Sequence, residues 1–185
     1  MPGVAPNLTH MGVFTDHPVE MQQFYSAVLG MAVSDRGRGK SFQRQIIFMT
    51  GDPLLHHQFV LVVREDGDPP GGALFQASFK VGSLAELRDV TARAIASSAP
   101  ELRAINHGNA WSVYFRDPDR NMVEVYMDSG WYVPQPFSDP LALELSDAEI
   151  EAATAERVKT VAGAKPQAEW TQDMTHRLKE IRGQS

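Results

Sequence analysis

Two stretches of this sequence, separated by 66 positions, carry the same order of apolar and polar residues. At that offset, Leu8-Thr9-His10 falls on Leu74-Phe75-Gln76, and the apolar stripe of residues 21–29 falls on a matching stripe at residues 87–95. Alternating apolar spacing predicts strands, and i, i+3, i+4 spacing predicts a helix. Each stretch therefore predicts the order strand, helix, strand, strand, strand. We interpret the repeat as a duplication of one supersecondary unit.

A charged segment rich in proline and glycine, residues 65–72, separates the two copies. We therefore predict one domain at residues 8–130, built from modules at residues 8–64 and 73–130. The predicted fold class is α+β, with two paired βαβββ modules forming one curved mixed sheet. The repeat also predicts that equivalent positions of the two modules lie around a pseudo-twofold axis.

Residues 131–185 match neither module and are predicted to form a helical C-terminal extension. Ser146 and Glu149 have the spacing of a capping box that opens a helix, and Pro166 stands where a second helix would begin. The second helix carries an apolar stripe of Trp170, Met174, Leu178 and Ile181. A completed two-module domain does not need this stripe for its own core. We therefore expect the extension to form a site lid or the interface of a homodimer.

Composition excludes several classes of protein. The 185 residues include no cysteine, which excludes a disulfide scaffold, thiolate catalysis and cysteine-based metal sites. A net charge of −6 without a run of Lys or Arg argues against a nucleic-acid partner. The longest apolar run, at residues 59–63, is far below the ~20 residues of a membrane-spanning helix. The first ten residues lack the features of a secretory signal, so we expect a cytoplasmic protein without a membrane partner.

Four polar residues occupy related places in the two modules. His10 and Gln76 lie near the start of the first predicted strand of each module, and His57 and Glu124 lie on the last. Taken singly, a histidine or a glutamate on a strand is more often structural. Pairing of the modules would bring the four positions around one axis, and imidazole, amide and carboxylate groups are all possible ligands of a divalent metal. Symmetry therefore favours a metal site.

His56 and His57 are neighbours on one predicted strand, so they are expected to face opposite sides of the sheet. Only one of them can then face the metal cavity.

The segment from Tyr114 to Glu124, YFRDPDRNMVE, carries a resemblance to a known family. It is similar to the closing motif Tyr-Phe-x-Asp-Pro-x-Gly-Asn-x-x-Glu of type I extradiol ring-cleaving dioxygenases, in the vicinal oxygen chelate superfamily. The resemblance implies that His10 and Glu124 bind the metal and that Tyr114 contacts substrate. It also implies that His107, on a hairpin, binds substrate and that His57 carries out proton transfer.

Two positions depart from the family pattern. Gln76 stands where the family has its second iron-binding histidine, and Arg120 stands where it has a turn glycine. An amide is a weaker and harder ligand than imidazole, so Mn(II) becomes an alternative to Fe(II) as the metal held by His10, Gln76 and Glu124.

The resemblance implies an Fe(II)-dependent dioxygenase that uses O₂ as co-substrate to cleave the ring of a small catechol-type aromatic substrate. One alternative is a superfamily epimerase, lyase or isomerase with four metal ligands: His10, His57, Gln76 and Glu124. Another is a non-catalytic protein that binds a small molecule.

Overall fold

A computed structural model describes residues 8–38, 44–66, 68 and 74–181. The first module consists of β1 Met11–Thr15, α1 Pro18–Leu29, β2 Ala32–Arg38, β3 Gln45–Thr50 and β4 Phe59–Val63. The second consists of β5 Ala77–Lys80, α2 Leu84–Ala96, β6 Arg103–Asn106, β7 Ala110–Arg116 and β8 Met122–Asp128. The predicted α+β order is therefore confirmed in both modules. Most of the predicted linker at residues 65–72 lies outside the described residues.

The two modules share one strand topology. The first forms a sheet of order β1-β4-β3-β2, with β1 parallel to β4. The second has the order β6-β7-β8-β5, with β5 parallel to β8, and a short strand β10 (Asp139–Pro140) pairs with β6. The duplication is thus visible in the hydrogen bonding. In the described residues, the paired modules contribute two hydrogen-bonded mixed sheets, where the sequence predicted one curved mixed sheet. The modules meet through side chains.

A shared core joins the modules. Tyr25 of α1 stacks on Phe59 of β4, with ring centroids 4.4 Å apart, and contacts Phe79 of β5 at 6.2 Å. Its hydroxyl donates to the buried Asp117 carboxylate at 3.1 Å. His17, which precedes α1, contacts Asp119 in the same turn at 2.5 Å. The first helix therefore packs against both sheets, and burial of its apolar face stabilises the two-module unit.

The turn between β7 and β8 explains one departure from the family motif. Arg120 has φ +64°, a left-handed conformation that favours glycine. Its guanidinium forms an ion pair with Glu101 at 2.9 Å. Asp117 accepts hydrogen bonds from the backbone and side-chain amides of Asn121, which closes the turn without a glycine.

The C-terminal extension begins with β9 Trp131–Tyr132, and β9 pairs with β11 Lys165–Pro166. The two predicted helices are present as α3 Asp147–Val158 and α4 Gln167–Ile181. The capping box of α3 is complete, with reciprocal bonds between Ser146 and Glu149. In the part of the chain that the structure describes, no helix has the length and apolar character needed to span a membrane.

The extension packs on the second module. Thr154 of α3 is buried and accepts hydrogen bonds from Asn106 Nδ2 and Trp111 Nε1, each at 2.9 Å. On α4, Trp170 stacks on Tyr132 with ring centroids 5.5 Å apart. The apolar stripe of α4 therefore begins with a contact inside the chain. The side chain of Ile181 lies outside the described residues, and the homodimer stays a prediction.

Gly108, in the β6–β7 hairpin, has φ +73°, and a Cβ there would lie 2.5 Å from Val133 Cγ2. We predict that Gly108→Ala lowers the free energy of unfolding by about 2–4 kcal/mol, because it combines left-handed strain with overpacking. Gly130→Ala is the matched control, since Gly130 has φ +85° and open space around it. Urea unfolding of both variants measures the difference, and equal losses would contradict the predicted clash.

Candidate functional site

Glu124 lies at the centre of the candidate site. It is on β8 with 8% of its surface exposed, and its register partner on β5 is Ser78. One carboxylate oxygen, Oε2, accepts from Ser78 Oγ at 2.6 Å and from Gln76 Nε2 at 3.0 Å. The other, Oε1, accepts from Tyr114 OH at 2.5 Å. These donors are neutral, and no ion pair to Glu124 occurs within the described ranges.

Tyr114 links Glu124 to His107. The tyrosine oxygen lies 2.8 Å from His107 Nε2, and His107 Nδ1 lies 2.8 Å from the carbonyl oxygen of Phe137. A carbonyl can only accept, so Nδ1 carries a hydrogen. Tyr114 has one proton for two short contacts. That proton can be donated either to Glu124 or to His107 Nε2, but not to both at once.

Burial raises the pKa of Tyr114 well above its usual range, and the neighbouring Glu124 raises it further. The hydroxyl therefore stays protonated at neutral pH and is available as a hydrogen-bond donor.

A cavity of about 480 Å³ opens beside this chain of contacts. Its walls come from β5, β7, β8, the β6–β7 hairpin and the extension. Most of the lining side chains are polar: Ser78, His107, Asn109, Ala110, Tyr114, Glu124, Tyr126, Asp128 and Gln135. The volume suits a small organic molecule.

Gln76 precedes β5 and is held by its amide nitrogen. Nε2 donates to Glu124 and, at 3.0 Å, to Ser78 Oγ. Both N–H groups are then used, which leaves the Oε1 oxygen without a protein partner among the described residues. An amide anchored in this way offers a fixed acceptor oxygen to a ligand or a cation.

His10, His56 and His57 form a second group of contacts. His10 precedes β1, as Gln76 precedes β5, and its ring lies edge-on to that of His57 with centroids 4.4 Å apart. Partial burial lowers the pKa of His57, and the neighbouring His10 and His56 rings lower it further. His57 is therefore held in the neutral form that a metal ligand or a general base requires.

The predicted placement of His56 and His57 is wrong in one respect. Both precede β4, which begins at Phe59, and their Nδ1 atoms lie 2.9 Å apart. They do not sit on opposite faces of a strand, because the chain has not yet entered the sheet. Strand alternation therefore does not separate their roles.

The predicted relation between His57 and Glu124 is also wrong. Gly12 of β1 pairs with Val60 of β4, and the position equivalent to Gly12, Ser78, pairs with Glu124. The structural counterpart of Glu124 is therefore Val60. The relation between His10 and Gln76 holds, since each lies one residue before its strand.

This fold and motif agree with a family comparison. The model of the Glyoxalase/Bleomycin resistance protein/Dioxygenase superfamily matches residues 7–125. The chain belongs to this superfamily. The match covers both modules up to Val125 and ends before the extension, so the family pattern accounts for the site strands and not for residues 131–181.

Two relatives of this superfamily protein are dioxygenases of Rhodococcus globerulus. Biphenyl-2,3-diol 1,2-dioxygenase 3 is 29% identical over 136 residues, covering 68% of this chain and 65% of the relative. Biphenyl-2,3-diol 1,2-dioxygenase 2 is 26% identical over 132 residues, covering 67% and 64%. The chain therefore spans slightly less than two thirds of each relative.

Solved structures share the fold. A glyoxylase/bleomycin resistance protein/dioxygenase domain from Frankia sp. EAN1pec has a TM-score of 0.56 at 20% identity, covering 68% of this chain and 99% of that one. A mutant of the fosfomycin resistance protein FosX from Listeria monocytogenes, complexed with Mn(II), has a TM-score of 0.50 at 15% identity, covering 66% and 93%.

Members of this superfamily commonly bind a divalent metal, and the residues around Glu124 fit one chemically. A buried carboxylate without a basic partner favours a nearby cation. Carboxylate, amide and imidazole groups are suitable ligands for Fe(II) or Mn(II). No three His, Asp or Glu side chains converge as a metal-binding group within the described ranges. The contacts join Gln76 to Glu124 and His10 to His57.

Sequence reasoning identified His107, Tyr114, Gln76 and Glu124, which the structure connects through hydrogen bonds. It missed Ser78, although the alternation of β5 gave a signal, since Ser78 is two residues after Gln76 and shares its face. It also missed the contribution of the extension, which supplies the Phe137 carbonyl and the Gln135 side chain.

We predict that Glu124→Gln raises the free energy of unfolding of the metal-free protein by about 1 kcal/mol or more, because it removes a buried charge that lacks a basic partner. The new amide N–H can donate to Tyr114, whose proton then goes to His107 Nε2. Urea unfolding in the presence of a chelator measures the effect. Glu151→Gln, at an exposed position of α3, is the control with an expected change near zero. Destabilisation by Glu124→Gln would contradict this account.

Proposed function

We propose that this protein is a metal-dependent extradiol dioxygenase, which uses O₂ to cleave the aromatic ring of a small catechol. The observation that carries the proposal is the chain of contacts from His107 through Tyr114 to Glu124 at the wall of the cavity. The similarity to two biphenyl-2,3-diol dioxygenases supports it. The polar walls of the cavity favour a compact catechol over one with a large apolar substituent.

In this proposal, Glu124, the Oε1 oxygen of Gln76 and His10 hold the metal, which is Fe(II), with Mn(II) as the alternative. When bound, the ion would supply a Lewis acid that polarises the catechol oxygens and activates O₂. His107 and Tyr114 bind and orient the catechol oxygens through hydrogen bonds. His57 moves a proton, since its lowered pKa keeps a lone pair available at neutral pH.

A second candidate is an isomerase, epimerase or lyase in which His57 is a fourth metal ligand. The contact between the His10 and His57 rings favours it, because a fourth ligand must lie beside the first.

The test is to load the protein with Fe(II) under anaerobic conditions, then add catechol and O₂. We expect bound iron, uptake of O₂ and a ring-opened product, and we expect His10→Ala to lose all three. His176→Ala, at an exposed histidine of α4, is the matched control. Bound metal without O₂ uptake would favour the second candidate, and absence of metal binding would leave a small-molecule binding protein.

We predict that Gln76→His retains Fe(II) more tightly than the wild-type protein, because imidazole is a stronger ligand for this ion than an amide. Iron that remains after gel filtration measures the change. Gln172→His introduces an exposed histidine on α4 and controls for adventitious iron. Equal retention by wild type and Gln76→His would count against Gln76 as a ligand.

We predict that His57→Ala lowers turnover by roughly 10²–10⁴-fold while the metal stays bound, as expected for loss of a general acid–base residue. His56→Ala is the control and should leave turnover nearly unchanged. Loss of metal in His57→Ala would instead make His57 a ligand. Inactivity of His56→Ala alone would reassign the proton-transfer role to His56.

A further inference from the structure

The hairpin that carries His107 is held by the C-terminal extension. Residues 133–137, which we term the strap, run beside this hairpin. Val133 is fully buried, and its side chain fills the space where a Cβ of Gly108 would lie. Ser129 Oγ donates to the carbonyl of Gly108. Ser129 ends the second module and Val133 lies outside both modules, so the extension packs directly against the hairpin.

Gln135 joins the strap to the hairpin. Its Nε2 lies 2.8 Å from the carbonyl oxygen of His107 and 3.1 Å from Asn109 Oδ1. Its Oε1 accepts from the backbone N–H of Phe137 at 3.0 Å. One side chain thus binds both the hairpin that carries His107 and the residue whose carbonyl contacts the His107 ring.

The Phe137 carbonyl determines which nitrogen of the His107 ring carries a hydrogen. Because Nδ1 must donate to this carbonyl, the neutral ring has its lone pair on Nε2, the nitrogen beside Tyr114. A protonated ring also keeps its hydrogen on Nδ1. In either charge state the contact with the Phe137 carbonyl therefore disfavours a ring without hydrogen on Nδ1.

Helix α3 fixes the same hairpin from the other side. Asn106 Nδ2 donates to Thr154 Oγ1, and Asn106 Oδ1 accepts from the backbone N–H of Gly108 at 2.8 Å. Asn106 and Thr154 are both buried, so leaving either without a partner carries a desolvation penalty. The hairpin is therefore held by α3 as well as by the strap.

We propose that Gln135 and the Phe137 carbonyl position His107, by holding it in the form with hydrogen on Nδ1 so that Nε2 is presented to the substrate oxygen. This inference rests on the proposed function only in treating His107 as a substrate-binding residue. The role of the extension is to hold His107 in place. Gln135 is a positioning residue that acts through His107.

The test is NMR of the imidazole nitrogens in the full chain, labelled with ¹⁵N-histidine, at a pH of about 8.5, well above the ordinary histidine pKa of about 6.5. His107→Gln identifies the His107 signals. In the wild-type protein, we expect hydrogen on Nδ1 of His107. Gln135→Ala removes the hydrogen bonds that hold the hairpin and Phe137 together, so the bond from His107 Nδ1 to the Phe137 carbonyl should weaken. A neutral hydrogen bond changes the ratio of two tautomers by up to about ten-fold, and we expect a shift of that size toward the Nε2–H form.

Gln135→Glu is a second variant of similar shape that removes the donated hydrogen bonds, and it should show the same shift. Gln172→Ala, at an exposed glutamine of α4, is the matched control and should leave His107 unchanged. Far-UV circular dichroism checks the fold, and the signals of the other five histidines should not move. An unchanged His107 tautomer in both Gln135 variants, or an Nε2–H form in the wild type, would overturn the proposal. The measurement needs neither metal nor O₂, so its failure is separate from failure of the dioxygenase proposal.

Discussion

Among the described residues, no basic side chain forms an ion pair with the buried carboxylate of Glu124. This lack of a counterion determines how the polar groups around Glu124 are arranged. A buried charge needs hydrogen bonds or a counterion, because the protein interior solvates it less well than water. Here the donors are neutral and come from both neighbouring strands: Ser78 on β5 and Tyr114 on β7, with Gln76 just before β5. Each of these side chains is oriented by its contact with Glu124. The Tyr114 oxygen also contacts His107 Nε2, and Gln76 keeps its Oε1 oxygen without a protein partner among the described residues.

The duplication is symmetric in its backbone and asymmetric in its chemistry. Both modules pair their first and last strands in parallel, yet the position opposite Gly12 is Val60, whereas the position opposite Ser78 is Glu124. The first module therefore contributes apolar surface and a helix that packs against both sheets. The second module contributes the buried carboxylate. His10 and His57 are the polar residues of the first module on which a shared metal site would depend.

The extension packs against the second module and supplies hydrogen-bond partners to its buried residues. Thr154 satisfies two buried donors of the module, and Val133 packs where only glycine fits at position 108. The strap then sets the orientation of His107 through a backbone carbonyl. His107 lies inside the superfamily match, which ends at residue 125, whereas the residues that hold its ring lie beyond that match.

The sequence by itself determined the order of elements, the two modules and both helices of the extension. The grouping of Tyr114 and His107 with Glu124 came from the resemblance of residues 114–124 to a known family. Apolar periodicity, capping residues and a turn motif are local signals, so they can be read without knowledge of the fold. It could not determine that His57 lies before β4, that Val60 is the counterpart of Glu124, or that Phe137 contacts His107. Those facts depend on strand register and on contacts between residues 30 or more positions apart. Only the tertiary structure decides them. A shift of one residue in register exchanges the two faces of a strand. Every residue has a backbone carbonyl, so the sequence does not show which carbonyl contacts a given side chain.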